Sequence, residues 1–124
     1  MSKLLGSDMI YVFGSNLAGL HSTPDALHAL HHHGAKVHSG EGRHGNSYAV
    51  PYRDTGLQLV SKHDFKRAVS AFCQYARERQ EWIFALTPIG IGRDDFSKEA
   101  VLQWIKVGGL PTNVVLTSQW VTML

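Results

Sequence analysis

Two glycine-rich loops, each placed between a short apolar run and the start of a helix, limit most strongly what this chain can fold into. The first run, residues 9–13, stops at Gly14, and the second, residues 82–86, leads into the loop that contains Gly90 and Gly92. Continuous apolar runs of about five residues are typical of strands buried on both faces. A strand–loop–helix unit that occurs twice predicts an α/β protein whose ligands bind beyond the carboxyl ends of the strands.

Three stretches carry helix-start signals and helical spacing. Thr23 followed by Pro24 predicts a capped helix over residues 24–33, and Ser61 and Ser97 open two more. In each helix the apolar side chains recur at three- and four-residue intervals, which gives one face for a core. The side chains expected to face the core are Ala26, Leu27 and Leu30, then Phe65, Ala68, Val69, Phe72 and Ala76, then Val101, Leu102 and Ile105.

Shorter segments complete the predicted order. Residues 36–38, 47–50, 57–59 and 113–117 are read as short strands. The resulting alternation of strands and helices predicts a three-layer α/β/α sandwich with a mixed, partly parallel central sheet. The chain has 124 residues, of which 44% are hydrophobic, and this is enough to build one hydrophobic core. We therefore expect a single domain over residues 1–124.

Composition excludes several classes of protein. No run approaches the roughly 20 apolar residues of a membrane span, and residues 1–8 lack the apolar stretch of a secretory signal. Cys73 is the single cysteine, so no internal disulfide can form, and we expect a cytoplasmic location. The formal net charge is only +2 without a dense basic cluster, so we expect no nucleic-acid partner.

The first loop offers groups that can hold a small ligand. Glycines such as Gly14 and Gly19 let a ligand approach the backbone closely, and the amide of Asn16 can both donate and accept hydrogen bonds, as a ribose hydroxyl requires. A tight turn capped by Asn16 explains the same residues. The pattern is neither GxGxxG nor a Walker motif, so it predicts neither a Rossmann fold nor a P-loop.

The second loop and the segment after the first helix add further candidates. Gly90 and Gly92, with the charge of Arg93, can close over a pyrophosphate, although an ordinary strand-to-helix connection is the alternative. Glu41 or His44, in a polar glycine-rich stretch, can act as a general base; a solvated loop is the alternative there.

The histidines invite a metal hypothesis that the sequence does not support. His28, His31 and His32 share a helical face, but no cysteine or carboxylate cluster completes a tetrahedral site nearby. We therefore predict a solvated helix face, no functional metal and no resident cofactor. Trp104 and Trp120 are core or interface candidates rather than a base-stacking platform.

Residues 11–21, which read YVFGSNLAGLH, resemble the opening of a small, largely uncharacterised family found in bacteriophages and bacteria, whose members begin with a phrase like VFGSNxAGxHG. The resemblance continues through residues 33–35, 40–51 and 84–90 and so covers most of the chain. That family is similar, in the order of its elements and the character of its loops, to macrodomains, the α/β/α modules that bind ADP-ribose.

The resemblance implies a macrodomain-like fold and an ADP-ribose-like ligand. Asn16 would lie near the distal ribose, residues 19–23 along the phosphates, and Asp8 near the adenine. If the protein hydrolyses an ADP-ribose linkage, Asn16 would position water, and His21 or Glu41 would act as the base. The residues implied to contact the ligand are Asp8, Gly14, Ser15, Asn16, Gly19, Gly90, Ile91, Gly92 and Arg93.

This chain departs from the family pattern in both loops. The family continues its first loop with small residues, whereas residues 20–25 are bulkier here and end in Asp25. Its second loop reads IGCGLAG, whereas Asp94 and Asp95 follow Arg93 here. We therefore expect a phage or prophage accessory protein that binds or sequesters ADP-ribose or a related nucleotide, ahead of hydrolysing it. The alternative is an interaction module, with a degenerate cleft, that inhibits or redirects a host protein.

Overall fold

The computed structural model describes residues 9–122, which form a mixed five-stranded sheet and four helices. In chain order the elements are β1 (Met9–Asn16), α1 (Pro24–His32), β2 (Gly42–His44), β3 (Ser47–Arg53), α2 (Lys62–Arg77), β4 (Ile83–Leu86), α3 (Lys98–Gly108), β5 (Val114–Leu116) and α4 (Gln119–Thr122). The predicted α/β class is confirmed.

The order of the strands in the sheet is β2-β3-β1-β4-β5. β3, β1, β4 and β5 run parallel to their neighbours, and only β2, at one edge, is antiparallel. From β1 the chain passes through α1 to β3, which lies on one side of β1 in the sheet. It then passes through α2 to β4, which lies on the other side of β1. Connections that diverge in this way open a crevice at the carboxyl ends of the two central strands, here β1 and β4.

Alternate residues of β1 face two different hydrophobic clusters. Ile10 and Val12 belong to the larger cluster, to which α2 and α3 contribute, whereas Phe13 belongs to a smaller cluster with Ala26 and Ala29 of α1. The apolar stripe predicted on α2 is confirmed, because all five of its members are buried: Phe65, Ala68, Val69, Phe72 and Ala76.

The three predicted helix caps are confirmed. The side-chain oxygens of Thr23, Ser61 and Ser97 each accept a hydrogen bond from the backbone amide three residues further on, at 3.1 to 3.3 Å. Such caps satisfy amides that have no partner within the helix and are each worth about 1 kcal/mol. The helices therefore begin where the sequence predicts.

The prediction that Leu27 faces the core is wrong. Leu27 is 39% exposed, and Ala29 is buried instead. α1 lies close to the sheet through the small side chains of Ala26 and Ala29, and this close approach turns the larger Leu27 outward.

The strand limits also differ from the prediction. Residues 36–38 form a turn rather than a strand, and β1 continues past Gly14 because residues 14–16 keep pairing with β3. β3 in turn continues through Pro51. Its pairing with β2 ends at Ala49, so Pro51 lies on a free edge where no ladder hydrogen bond from its nitrogen is needed.

The last helix, α4, was not predicted. It carries Trp120, which is 3% exposed and whose indole nitrogen donates to the carbonyl of Leu86 at 2.7 Å. Of the two alternatives for Trp120, core and interface, the structure shows the core. Across residues 9–122, no helix has both the length and the apolar character that a membrane crossing requires.

Candidate ligand cleft

Two adjoining cavities of about 470 and 270 Å³ lie at the carboxyl edge of the sheet. Both are lined by Gly14, Thr23 and Tyr52, so they form two lobes of one cleft. The larger lobe is further lined by residues that include Asp25, Gly90, Ile91, Asp95 and Gln119, and the smaller lobe by residues that include Ser15, Asn16, Leu20, Arg53 and Leu57.

The floor of the cleft depends on two glycines. A Cβ atom on Gly14 would lie 2.9 Å from the ring of Tyr52 and 3.3 Å from the amide nitrogen of Gly90. Gly90 has φ +70°, and a Cβ there would lie 2.6 Å from the ring of Phe65. Gly90 thus requires glycine, whereas a side chain at Gly14 would displace the Tyr52 ring. The two loops meet over the crevice between β1 and β4.

Gly19 serves packing rather than ligand approach. A Cβ there would lie 2.2 Å from Cα of His38, and the His38 amide donates to the Gly19 carbonyl at 2.8 Å. The Ser15 hydroxyl donates to the carbonyl of Gly40, whose own Cβ would meet the carbonyl oxygen of Asn16 at 2.0 Å. The segment after α1 therefore covers the first loop, so the expected ligand contact at Gly19 is corrected to a backbone contact with His38.

Asn16 lines the smaller lobe and also holds its own loop closed. Its Oδ1 accepts from the Leu20 amide at 3.0 Å, and its Nδ2 donates to the Leu20 carbonyl at 2.8 Å. A side-chain amide has two lone pairs and two N–H groups, so each atom keeps one position for a ligand. Asn16 therefore has a structural role in its loop, and the ribose contact stays a prediction.

His21 does not line the cleft. It is 7% exposed, and its Nε2 lies 2.7 Å from the carbonyl oxygen of Lys36. Because a carbonyl only accepts, Nε2 is the donor, and Nδ1 is buried without a hydrogen-bond partner in the part of the chain that the structure describes. The ring also packs edge-on against Phe13. His21, one of the expected general bases, therefore connects the first loop to the segment after α1.

Glu41, the other expected base, lies on a different surface. It is exposed and lines a separate cavity of about 50 Å³ beside Asp64 and Arg67. Neither Glu41 nor His21 is therefore positioned to take a proton from a ligand in the cleft.

The two ends of the second loop line the larger lobe, and its middle does not. Gly90, Ile91 and Asp95 are lining residues, whereas Gly92 and Arg93 are exposed and are not among them. The Phe96 amide donates to the Gly90 carbonyl at 2.9 Å, and this bond closes the loop into a tight turn. The structure therefore does not bring Gly92 and Arg93, two of the expected phosphate contacts, into the lining of the cleft.

The cation at the cleft is Arg53, at the end of β3. It forms an ion pair with Asp95 of the second loop and donates from Nη1 to the carbonyl of Leu57 at 2.8 Å. This pair joins the second loop to β3. Sequence analysis missed Arg53 and Tyr52 because β3 was expected to end before them; the parallel pairing of β3 with β1 is the signal that places them at this edge.

Asp25 places a carboxylate in the larger lobe, in the first turn of α1. Its Oδ1 accepts from the Tyr11 hydroxyl at 3.1 Å and from Nε2 of Gln119 at 2.9 Å. Burial, followed by the charge of Asp25, raises the pKa of Tyr11, so the phenol stays a donor. A helix N-terminus attracts anions, and here the protein's own carboxylate lies at that position.

Next to this site, Tyr11 also touches a group of histidines. The ring of His33 stacks on Tyr11 with centroids 4.6 Å apart, and His28 lies 4.9 Å from His33 and 4.8 Å from His32. Burial first, then His28 and His32, lowers the pKa of His33. Between residues 9 and 122, no three His, Cys, Asp or Glu side chains are grouped so that they could hold a metal ion.

Comparison with protein-family models, curated proteins and solved structures finds no match to this chain. The family resemblance therefore stays a prediction. The expected adenine contact, Asp8, lies outside the described residues.

Proposed function

We propose that this protein binds ADP-ribose or a related nucleotide in the cleft at the carboxyl edge of its sheet, and that it holds the ligand rather than hydrolysing it. The observation that carries the proposal is the two-lobed cleft over Gly14 and Gly90, at the point where the chain connections diverge from β1. This is the position at which open α/β sheets bind nucleotides.

The proposal includes a three-layer, macrodomain-like arrangement within a single domain. Its support is the pair of hydrophobic clusters, which place α1 against one set of β1 side chains and α2 and α3 against the alternate set. The proposed role in a phage or prophage has a different support, namely the resemblance of residues 11–21.

The size and lining of the cleft suit a ligand made of two linked parts. The larger lobe alone, at about 470 Å³, falls within the ~300–1,000 Å³ of small-molecule sites. Tyr52 lies between the lobes and offers an aromatic ring, while Asn16 offers an amide to a ribose hydroxyl in the smaller lobe.

Binding ahead of hydrolysis is supported by where the two expected bases lie. His21 is buried within the fold and Glu41 lines a separate cavity, so neither reaches a water that attacks a ligand in the cleft. Of the carboxylates that line the larger lobe, Asp95 is paired with Arg53, and Oδ1 of Asp25 accepts hydrogen bonds from Tyr11 and Gln119. A protein with this cleft would sequester its ligand.

Calorimetric titration of the full chain with ADP-ribose, NAD and cyclic ADP-ribose tests the proposal. We expect saturable binding of at least ADP-ribose, and its loss in Ser22→Trp, where an exposed side chain of the smaller lobe is enlarged to fill it. Ser70→Trp, an equally exposed position on α2, is the matched control and should bind normally. Failure of all three nucleotides to bind, or equal losses in the two variants, would contradict the proposal.

The second candidate is an interaction module for a host protein, and one observation favours it. Leu20 and Leu57, 45% and 42% exposed, stand together at the smaller lobe and give its rim an apolar character. Trp120, which the sequence allows as an interface residue, does not support this candidate because its side chain is buried. If the nucleotides fail to bind, a host protein whose recovery falls in Leu20→Asp would establish the module instead.

A further inference from the structure

A second concave surface lies on the opposite side of the sheet from α1, between α2 and α3. This α2–α3 groove has a volume of about 430 Å³ and is separate from the cleft. Residues of α2 and of the second half of α3 form its walls. Nothing in the proposed nucleotide binding uses this surface, so the inference below does not depend on that proposal.

One end of the groove is cationic. Lys62, Lys66 and Arg67 line it together with His63, and none of the described residues that line it is a carboxylate. Within residues 9–122, neither lysine nor Arg67 forms an ion pair. Arg67 also lines the small cavity that Asp64 and Glu41 line, so Lys62 and Lys66 are the cations that line the groove alone.

The placement of Lys62 opposes the stability of the helix. Lys62 is the first residue of α2, immediately after the cap Ser61, in the same turn as Asp64. The positive end of the helix dipole disfavours cations there. Positions that break a local rule without a compensating contact are expected at functional surfaces.

The rest of the groove is apolar and closed at its far end. Val69, Cys73 and Ile105 form a buried floor, and Trp104 is half-buried beside them. Lys62, Lys66, Val69 and Cys73 lie along one stripe of α2, so charge gives way to apolar surface in one direction. Near Gly108, at the far end, the guanidinium of Arg77 donates to the carbonyls of Gly108 and Gly109 at 2.8 and 2.6 Å, and Arg77 itself is not a lining residue of the groove.

We propose that the α2–α3 groove binds a small anionic amphiphile, a molecule with one carboxylate or phosphate headgroup and a single apolar tail. The headgroup lies between Lys62 and Lys66, where the helix N-terminus adds to their field. The tail lies against Trp104 over the apolar floor. The volume of the groove falls in the range of small-molecule sites, and the one-directional change from charge to apolar surface matches a ligand with one charged end.

The test uses dodecanoate as the probe, below the concentration at which it forms micelles. Binding to the full chain is followed by calorimetry and by tryptophan fluorescence, with acetate and dodecyltrimethylammonium as comparison ligands. We expect saturable binding of dodecanoate alone, because acetate lacks the tail and the ammonium carries the wrong charge. In Trp104→Phe the fluorescence change should shrink while the calorimetric signal remains.

Two pairs of variants locate the site. Lys66→Glu should weaken dodecanoate binding about tenfold, as expected when a charged hydrogen-bond donor is lost, whereas Lys36→Glu, an exposed position with the same change in net charge, should leave it unchanged. Ser70→Trp should block dodecanoate but not ADP-ribose, and Ser22→Trp the reverse.

Four results would overturn the proposal. Three concern binding: equal binding of the anionic and cationic amphiphiles, equal effects of Lys66→Glu and Lys36→Glu, and no dodecanoate binding at all. A dimer in sedimentation that Ser70→Trp dissociates would also overturn it, because the groove would then be a contact between two copies of this chain.

Discussion

The hydroxyl of Tyr11 donates a 3.1 Å hydrogen bond to Oδ1 of Asp25, and this bond fixes a carboxylate at the N-terminus of α1 inside the larger lobe of the cleft. Gln119 donates to the same oxygen from α4. The carboxylate thus lies where the helix would otherwise attract a phosphate. Its charge is expected to limit the affinity of the cleft for a pyrophosphate without affecting the uncharged parts of a nucleotide.

Asp25→Asn should therefore strengthen the binding of ADP-ribose. The change removes a negative charge from the larger lobe, while the amide oxygen of Asn still accepts from Tyr11 and Gln119. The gain is about two- to fivefold, the size of a single charge effect at a helix end. Calorimetric titration at low ionic strength measures it, and the gain should shrink as salt is added.

Asp94→Asn is the matched control for Asp25→Asn. Asp94 is exposed in the second loop and does not line the cleft, yet its replacement changes the net charge by the same amount. Equal gains in the two variants would show that only the overall charge of the protein matters, and Asp25 would no longer be assigned to the ligand site.

Gly90→Ala should destabilise the fold by about 1–3 kcal/mol. Gly90 has φ +70°, and the added Cβ would lie 2.6 Å from the Phe65 ring in the core. Urea denaturation measures the free energy of unfolding. Gly56→Ala is the control, because a Cβ there would contact only the Asp54 carboxylate, at 3.5 Å, and equal stability of the two variants would contradict the geometry at Gly90.

The helices could be predicted from the sequence because their signals are local. The cap of Ser61 and the apolar stripe that follows it lie within one continuous segment, so spacing alone identifies the buried face of α2. Leu27 was misassigned because the sequence does not reveal how closely α1 approaches the sheet. That distance depends on Ala26 and Ala29 packing against β1, which is a tertiary contact.

The cleft could be predicted only in part, for the same reason. Parallel strands bring their carboxyl ends to one edge, and five of the residues expected to contact a ligand line the cleft there: Gly14, Ser15, Asn16, Gly90 and Ile91. Gly19 and His21 instead contact the backbone of the segment after α1. Such long-range pairing leaves no periodic pattern in the sequence.

The low pKa of His33, which follows α1 and stacks on Tyr11, predicts a loss of stability in mild acid. Burial and the neighbouring His28 and His32 lower the pKa of His33 below its usual 6.5. As the pH falls, the unfolded chain binds this proton before the folded protein does, so the free energy of unfolding decreases below about pH 6.5. His33→Gln should flatten this decrease between about pH 7 and pH 5, as measured by denaturation at several pH values.

His63→Gln is the comparison for His33→Gln, since His63 is an exposed histidine on α2. The decrease of stability in acid should persist in this variant. If the two variants behave alike, the acid sensitivity does not arise from the group around Tyr11, and a direct NMR titration of the His33 ring should then show a pKa at or above its usual value.

The raised pKa of Tyr48 predicts a second loss of stability, at alkaline pH. Burial, and after it the charge of Glu41, raises the pKa of Tyr48 to about 12, whereas the unfolded chain ionises near its ordinary value of about 10. Unfolding therefore releases a proton between these values, and the free energy of unfolding decreases from about pH 10 toward pH 12. The loss attributable to Tyr48 is on the order of 2 kcal/mol. Tyr48→Phe should reduce the decrease by about that amount, and phenolate absorbance should show one fewer tyrosine that ionises late; a variant with an unchanged alkaline profile would mean that Tyr48 ionises normally in the folded protein.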